Sequence, residues 1–213
     1  MTDQTKLAAR LLDVAGRTFA EQAGIRLADK PSPLYRLLVL SVLLSTRIKA
    51  DIAVEAAAEL ARAGMTTPAK MLEATWQQRV DALGKAHYVR YDESTATALG
   101  DGAQLLRDDY RGDLRRLRRE ADGDVEALHQ SLRRFPRLGP VGADIFCREA
   151  QSVWPELRPY FDNKTLDGAK RIGLPMDSGK LARLAGTRDQ ARLAAALVRV
   201  SLSRQVTGQV LGR

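Results

Sequence analysis

The chain has 213 residues, enough for one large domain or two small lobes. Apolar residues make up 45% and charged residues 28%, a balance that permits a folded core and excludes a disordered chain. The formal charge of +8 favours a polyanionic partner, because each phosphate contact releases counterions, and the single cysteine excludes an internal disulfide and any cysteine-ligated zinc or iron–sulfur centre.

Nearly every periodic segment is helical. Leu7 to Ala23 carries Leu7, Leu11, Val14, Ala15 and Phe19 on one face. Ser32 and Pro33 start a helix over Leu34 to Ser45, and Asp51 to Ala63 is alanine-rich and amphipathic. Thr67-Pro68 opens a short helix to Ala74, and Thr75 caps Trp76 to Leu83. Tyr88 to Leu106 reads as a longer helix, weakened by Gly100 and Gly102. The basic block Arg111 to Arg119 reads either as a polyanion contact or as a solvated helix face balanced by Glu120, Asp122 and Asp124. Asp124 caps Val125 to Phe135, Gly142 to Val153 follows, and Asn163 to Ile172 ends at Gly173 and Pro175. Asp189 to Ser203 closes the chain with an Ala/Leu/Val face. No strand alternation is visible, so the expected class is all-α.

The longest apolar run, Leu37 to Leu44, is too short to span a bilayer and is broken by Ser41. Asp3, Lys6 and Arg10 interrupt any signal-peptide pattern. A soluble, cytoplasmic protein without a membrane partner is expected. His87 and His129 cannot make a usual zinc site, so no metal held by side chains is expected, and Cys147 reads as a buried structural thiol.

Two segments carry the chemistry. Phe135-Pro-Arg-Leu-Gly-Pro-Val-Gly-Ala-Asp-Ile-Phe146 reads as a tight hairpin entering a helix, with the amides of Leu138, Gly139, Val141 and Gly142 as a seat for a backbone phosphate. An ordinary helix–helix turn is the plainer reading. Pro159-Tyr-Phe-Asp-Asn-Lys-Thr-Leu166 sets one carboxylate, Asp162, after an aromatic pair. From the residues alone Asp162 is a helix N-cap, a role that also fixes the direction of a carboxylate.

Together with Val39-Leu-Ser-Val-Leu-Leu-Ser-Thr-Arg-Ile-Lys49, these blocks resemble the helix-hairpin-helix DNA glycosylases of the endonuclease III type. The order and spacing fit roughly residues 30 to 175. The resemblance implies two helical lobes with a cleft between them: residues 30–150 as a central lobe with the hairpin, and residues 1–29 plus 151–213 as a second lobe formed by both termini. It implies double-stranded DNA as partner, and Asp162 as the catalytic acid that faces the deoxyribose. It also implies a monovalent cation shared by hairpin carbonyls and phosphate.

The departures define the expected chemistry. Arg137 stands where the hairpin's first glycine usually sits, so it either strains the turn or adds a phosphate contact; the second is favoured. Val141 replaces the Schiff-base lysine, and the cluster cysteines are missing. Arg47 takes the place often held by glutamine and is the candidate wedge for the vacated base stack, with Lys49 beside it. These features imply a monofunctional glycosylase of base excision repair that hydrolyses the N-glycosidic bond and leaves an abasic site. The alternatives are a catalytically degenerate DNA-binding protein of the same fold and a basic helical scaffold for a protein partner. Tyr88, Tyr91, Tyr160 and Phe161 are base-pocket candidates, although core packing is the plainer reading of Tyr88 and Tyr91. Trp76 and Trp154 read as core, and Asp144 faces either cleft or solvent.

Overall fold

The structure, a computed structural model, describes residues 3–212. Those residues form α1 (Asp3–Ala15), α2 (Phe19–Gln22), α3 (Pro31–Leu44), α4 (Ala50–Arg62), α5 (Pro68–Glu73), α6 (Trp76–Lys85), α7 (Asp92–Tyr110), α8 (Leu114–Glu120), α9 (Val125–Leu132), α10 (Gly139–Ala150), α11 (Asn163–Ile172), α12 (Ser178–Leu202) and α13 (Arg204–Leu211). A 3-10 turn covers Pro155–Leu157, and the described residues contain no strand, so the fold is all-α. None of the described helices is long and apolar enough to cross a membrane.

The chain divides into two compact units: Ala20–Phe146, and Met1–Phe19 joined with Cys147–Arg213. The middle unit is built round α3, whose residues Leu34, Tyr35 and Leu37 to Leu43 are all buried, so this helix is enclosed on nearly every side. It packs on α4 and α8, while α7 packs on α5, α6 and α8. Arg79 ties three helices by donating to the carbonyls of Met71, Ala74 and Ala96 at 3.0, 2.8 and 2.9 Å. The first two bonds satisfy carbonyls that the end of the short α5 would otherwise leave unpaired, and the third reaches a carbonyl inside α7.

The unit formed by the termini is organised by α12, which packs on α1, α11 and α13. Its core includes Leu11, Phe161, Ala169, Ile172, Leu181, Leu193, Leu197 and Val210. Gly168 allows α11 to lie against α12: a Cβ there would run into the carbonyl oxygen of Leu197. Leu7 to Ala23 is not one helix. The break follows Ala15, where Arg199 donates to the Ala15 and Arg17 carbonyls and Arg192 to the Gly16 carbonyl. Side chains from α12 thus replace the acceptors' lost helical partners.

Other boundaries shift for local reasons. Residue 87 takes a positive φ, and the helix expected from Tyr88 starts at Asp92; it then runs past Gly100 and Gly102 to Tyr110. The basic block forms α8, capped by Asp113, with Arg115 paired to Asp113 and Arg118 to Asp29 at 2.8 Å each. Those are different acids from the ones expected. Helix α12 starts eleven residues before Asp189, at Ser178 on the Asp177 cap, and passes a kink at Gly186. Helix α13, capped by Ser203, was not expected. Trp76 is not core: it lies 40% exposed in the first turn of α6, beside the Thr75–Gln78 capping box, and its indole donates to Thr97. Trp154 and Cys147 are fully buried, as expected.

Candidate nucleic-acid interface

The hairpin runs from the end of α9 into α10. Phe135 N–H donates to Leu132 O, Leu138 N–H to Phe135 O and Gly142 N–H to Leu138 O, at 3.1, 3.1 and 2.9 Å. Leu138 and Gly142 are therefore spent in closing the turn and do not offer their amides to a phosphate. The N–H groups of Gly139 and Val141 have no acceptor among the described residues, and Val141 is 61% exposed. The seat is narrower than expected, at two amides instead of four. Gly142 is required for packing: a Cβ there would stand 2.8 Å from the Leu138 side chain, which fills this space and is buried.

Arg137 adopts φ 61°, the left-handed conformation that glycine takes easily. For a residue with a Cβ this costs about 1–2 kcal/mol, so the backbone carries the strain that was the less favoured of the two readings. The side chain is also held. Its guanidinium donates to Ser94 Oγ at 2.9 Å and lies 5.5 Å from the Tyr91 ring centre, while Arg90 lies 5.2 Å from the same ring. Two cations thus flank one half-buried aromatic, each attracted by its π-face. Ser45 Oγ donates to Arg137 O at 3.1 Å, which brings the turn after α3 against the hairpin. Two and four residues on, Arg47 and Lys49 are exposed, with no ion pair among the described residues. Tyr88 is fully buried, hydrogen-bonded to Thr46 at 3.0 Å and to Thr95 at 3.4 Å, so its ring packs the core and offers no face to a base. Asp144 pairs with His129 at 3.1 Å.

The acid lies in the other unit. Asp162 caps α11: Oδ1 accepts from the Thr165 N–H at 3.1 Å, and Thr165 Oγ1 returns a bond to the Asp162 carbonyl at 2.6 Å. Oδ2 accepts from Arg148, near the end of α10, at 2.6 Å. The two side chains are only 9% and 7% exposed. Gln151, fully buried, fastens the approach to Asp162: its amide donates to the Arg148 and Tyr160 carbonyls at 2.9 and 3.0 Å, and its oxygen accepts from the Tyr160 N–H at 3.0 Å. Tyr160 is half-buried by this clasp, and Phe161 belongs to the core. Arg148 and Gln151 were not singled out from the sequence. Both lie on the polar-looking stretch Arg148-Glu-Ala-Gln151 that continues an apolar helix, and polar residues there signal buried partners.

The described residues contain no cluster of three or more metal-ligating side chains. Neither a protein-family model nor a curated protein sequence matches the chain. A solved structure of a trapped endonuclease III–DNA covalent intermediate, an estranged-adenine complex, aligns with 93% of this chain and 86% of its own, at TM-score 0.50 and 14% identity. At that identity the likeness shows the fold, which is endonuclease III-like.

Proposed function

We propose that this chain is a duplex-DNA-binding protein on the endonuclease III-like fold, in which Asp162 is a structural acid and no base is excised. The observation that carries the proposal is the buried Arg148–Asp162 pair at 2.6 Å. Base removal builds positive charge on the sugar, and a carboxylate stabilises it only to the extent that its own charge is uncompensated. Here a guanidinium holds one oxygen and a backbone amide the other. Separating a buried pair strands a charge, at a cost of about 3–5 kcal/mol.

Binding draws on other groups. The open amides of Gly139 and Val141, the anchored Arg137 and the exposed Arg47 and Lys49 all belong to the middle unit and suit a phosphodiester backbone. Arg47 would enter an opened base stack, and hairpin carbonyls would share a monovalent cation with phosphate. The protein would act as a monomer on nucleoid DNA.

A second reading, a monofunctional DNA glycosylase, is favoured by one specific feature: the cap fixes the direction of the Asp162 carboxylate at the start of α11. With Val141 in place of an amine nucleophile, water would attack, leaving an abasic site and an uncut strand. One experiment separates the readings. Duplexes carrying oxidised, deaminated, alkylated or mismatched bases are incubated with excess protein, then treated with hot alkali. The proposal expects tight, salt-sensitive binding and no base release above that of Asp162→Asn. Release by the wild type that Asp162→Asn abolishes would establish the glycosylase.

A further inference from the structure

Helix α11 buries Thr165, Gly168, Ala169 and Ile172. Its opposite side carries Lys164, Asp167, Lys170 and Arg171, which with Ser201 of α12 line an open depression of about 490 Å³. Three cations face one acid there. Arg171 is fixed by donating to the Val200 carbonyl at 3.0 Å, while Lys164, Asp167 and Lys170 have no side-chain partner among the described residues. Lys170 and Arg171 lie in the last turn, where cations favour a helix by their interaction with its dipole. Lys164 lies in the first turn, where a cation opposes the dipole, so helix stability does not account for it. A depression of about 520 Å³ in the middle unit gives the contrast: its Lys70 and Lys85 are matched by Glu73 and Asp81.

We infer that the α11 depression is a second seat for a backbone phosphate, bound by Lys164, Lys170 and Arg171. The inference rests on the DNA-binding reading and extends it to a surface outside the hairpin. Lysines are suited to this task because a flexible ammonium meets a phosphate as a point charge, with no demand for bidentate geometry. Such contacts add affinity without sequence preference.

The test is the salt dependence of duplex binding, read by fluorescence anisotropy on damaged and undamaged oligonucleotides. Each lost phosphate contact lowers the log–log slope by about 0.9. Lys164→Gln/Lys170→Gln should lower it by about two contacts' worth and weaken all sequences equally. Lys70→Gln/Lys85→Gln, with the same charge change, should leave the slope unaltered. Equal slopes for the two double variants, beside weakened binding by Arg137→Ala, would overturn the α11 seat alone. A wild type with no salt-dependent duplex binding would overturn the reading beneath it. Titration with inorganic phosphate gives a further arm: phosphate binding lost in Lys164→Gln/Lys170→Gln, with duplex affinity unchanged, would assign the seat to a free anion and contradict the inference.

Discussion

Two helix starts in this molecule are built in opposite ways. At α10 the turn leaves the Gly139 and Val141 amides open, supplies no acid in the first turn, and keeps cations nearby on Arg137 and the residue 45–49 turn. At α11 the protein's own carboxylate fills the position that an anion would take, and Arg148 neutralises it. A helix N-terminus attracts negative charge wherever it lies. The difference is that α10 leaves that attraction for a partner and α11 satisfies it internally. Resemblance to an enzyme's aspartate therefore says less about chemistry than the state of the groups around it.

The contrast can be broken hardest at Arg148. Arg148→Met should destabilise the protein by about 3–5 kcal/mol in urea unfolding, because it strands a buried carboxylate; adding Asp162→Asn, which removes that charge and keeps the α11 cap, should recover much of that loss. A loss under 1 kcal/mol would mean that the pair is loosely held. Next comes the bed on which the closed site rests. Gly168→Ala drives a methyl group into the Leu197 carbonyl and should cost about 1–3 kcal/mol, read as a lower Tm. The open site should respond differently. Arg137→Gly removes left-handed strain while adding chain entropy, so stability should change by less than about 1 kcal/mol. Its duplex affinity should fall equally for all sequences, and unchanged affinity would remove Arg137 from the interface. The smallest effect is at Asp113, whose carboxyl is held below its ordinary range first by the side-chain hydrogen bond from Arg115, with burial opposing. Its folded pKa lies below its unfolded one, so its contribution is present above the unfolded value and fades as pH falls through the folded value. Asp113→Asn should shallow the stability loss on acidification in that window and leave stability at neutral pH only slightly lower.

Much of the frame was legible in the chain. The period of the apolar residues marked the all-α class, and cap residues such as Thr75, Asp124 and Asp162 marked helix starts that the structure has. Long-range contacts were not legible. Nothing local to Gly16 says that Arg192 and Arg199, more than 170 residues away, end α1 there. The same holds for the site. The hairpin was visible because its turn is written in consecutive residues, yet which of its amides remain open depends on bonds to Phe135 and Leu138. The partner of Asp162 lies fourteen residues back on another helix, so a reading along the chain met a lone acid where the fold makes a pair.

The most direct test of that pair is the unfolding free energy of Asp162→Asn. Asparagine can still cap α11, so the cap is nearly retained, while Arg148 is left as a buried charge without its counterion. The account predicts a loss of about 3–5 kcal/mol by urea titration. Stability equal to or above that of the wild type, the usual signature of an acid kept for chemistry at the expense of the fold, would contradict it.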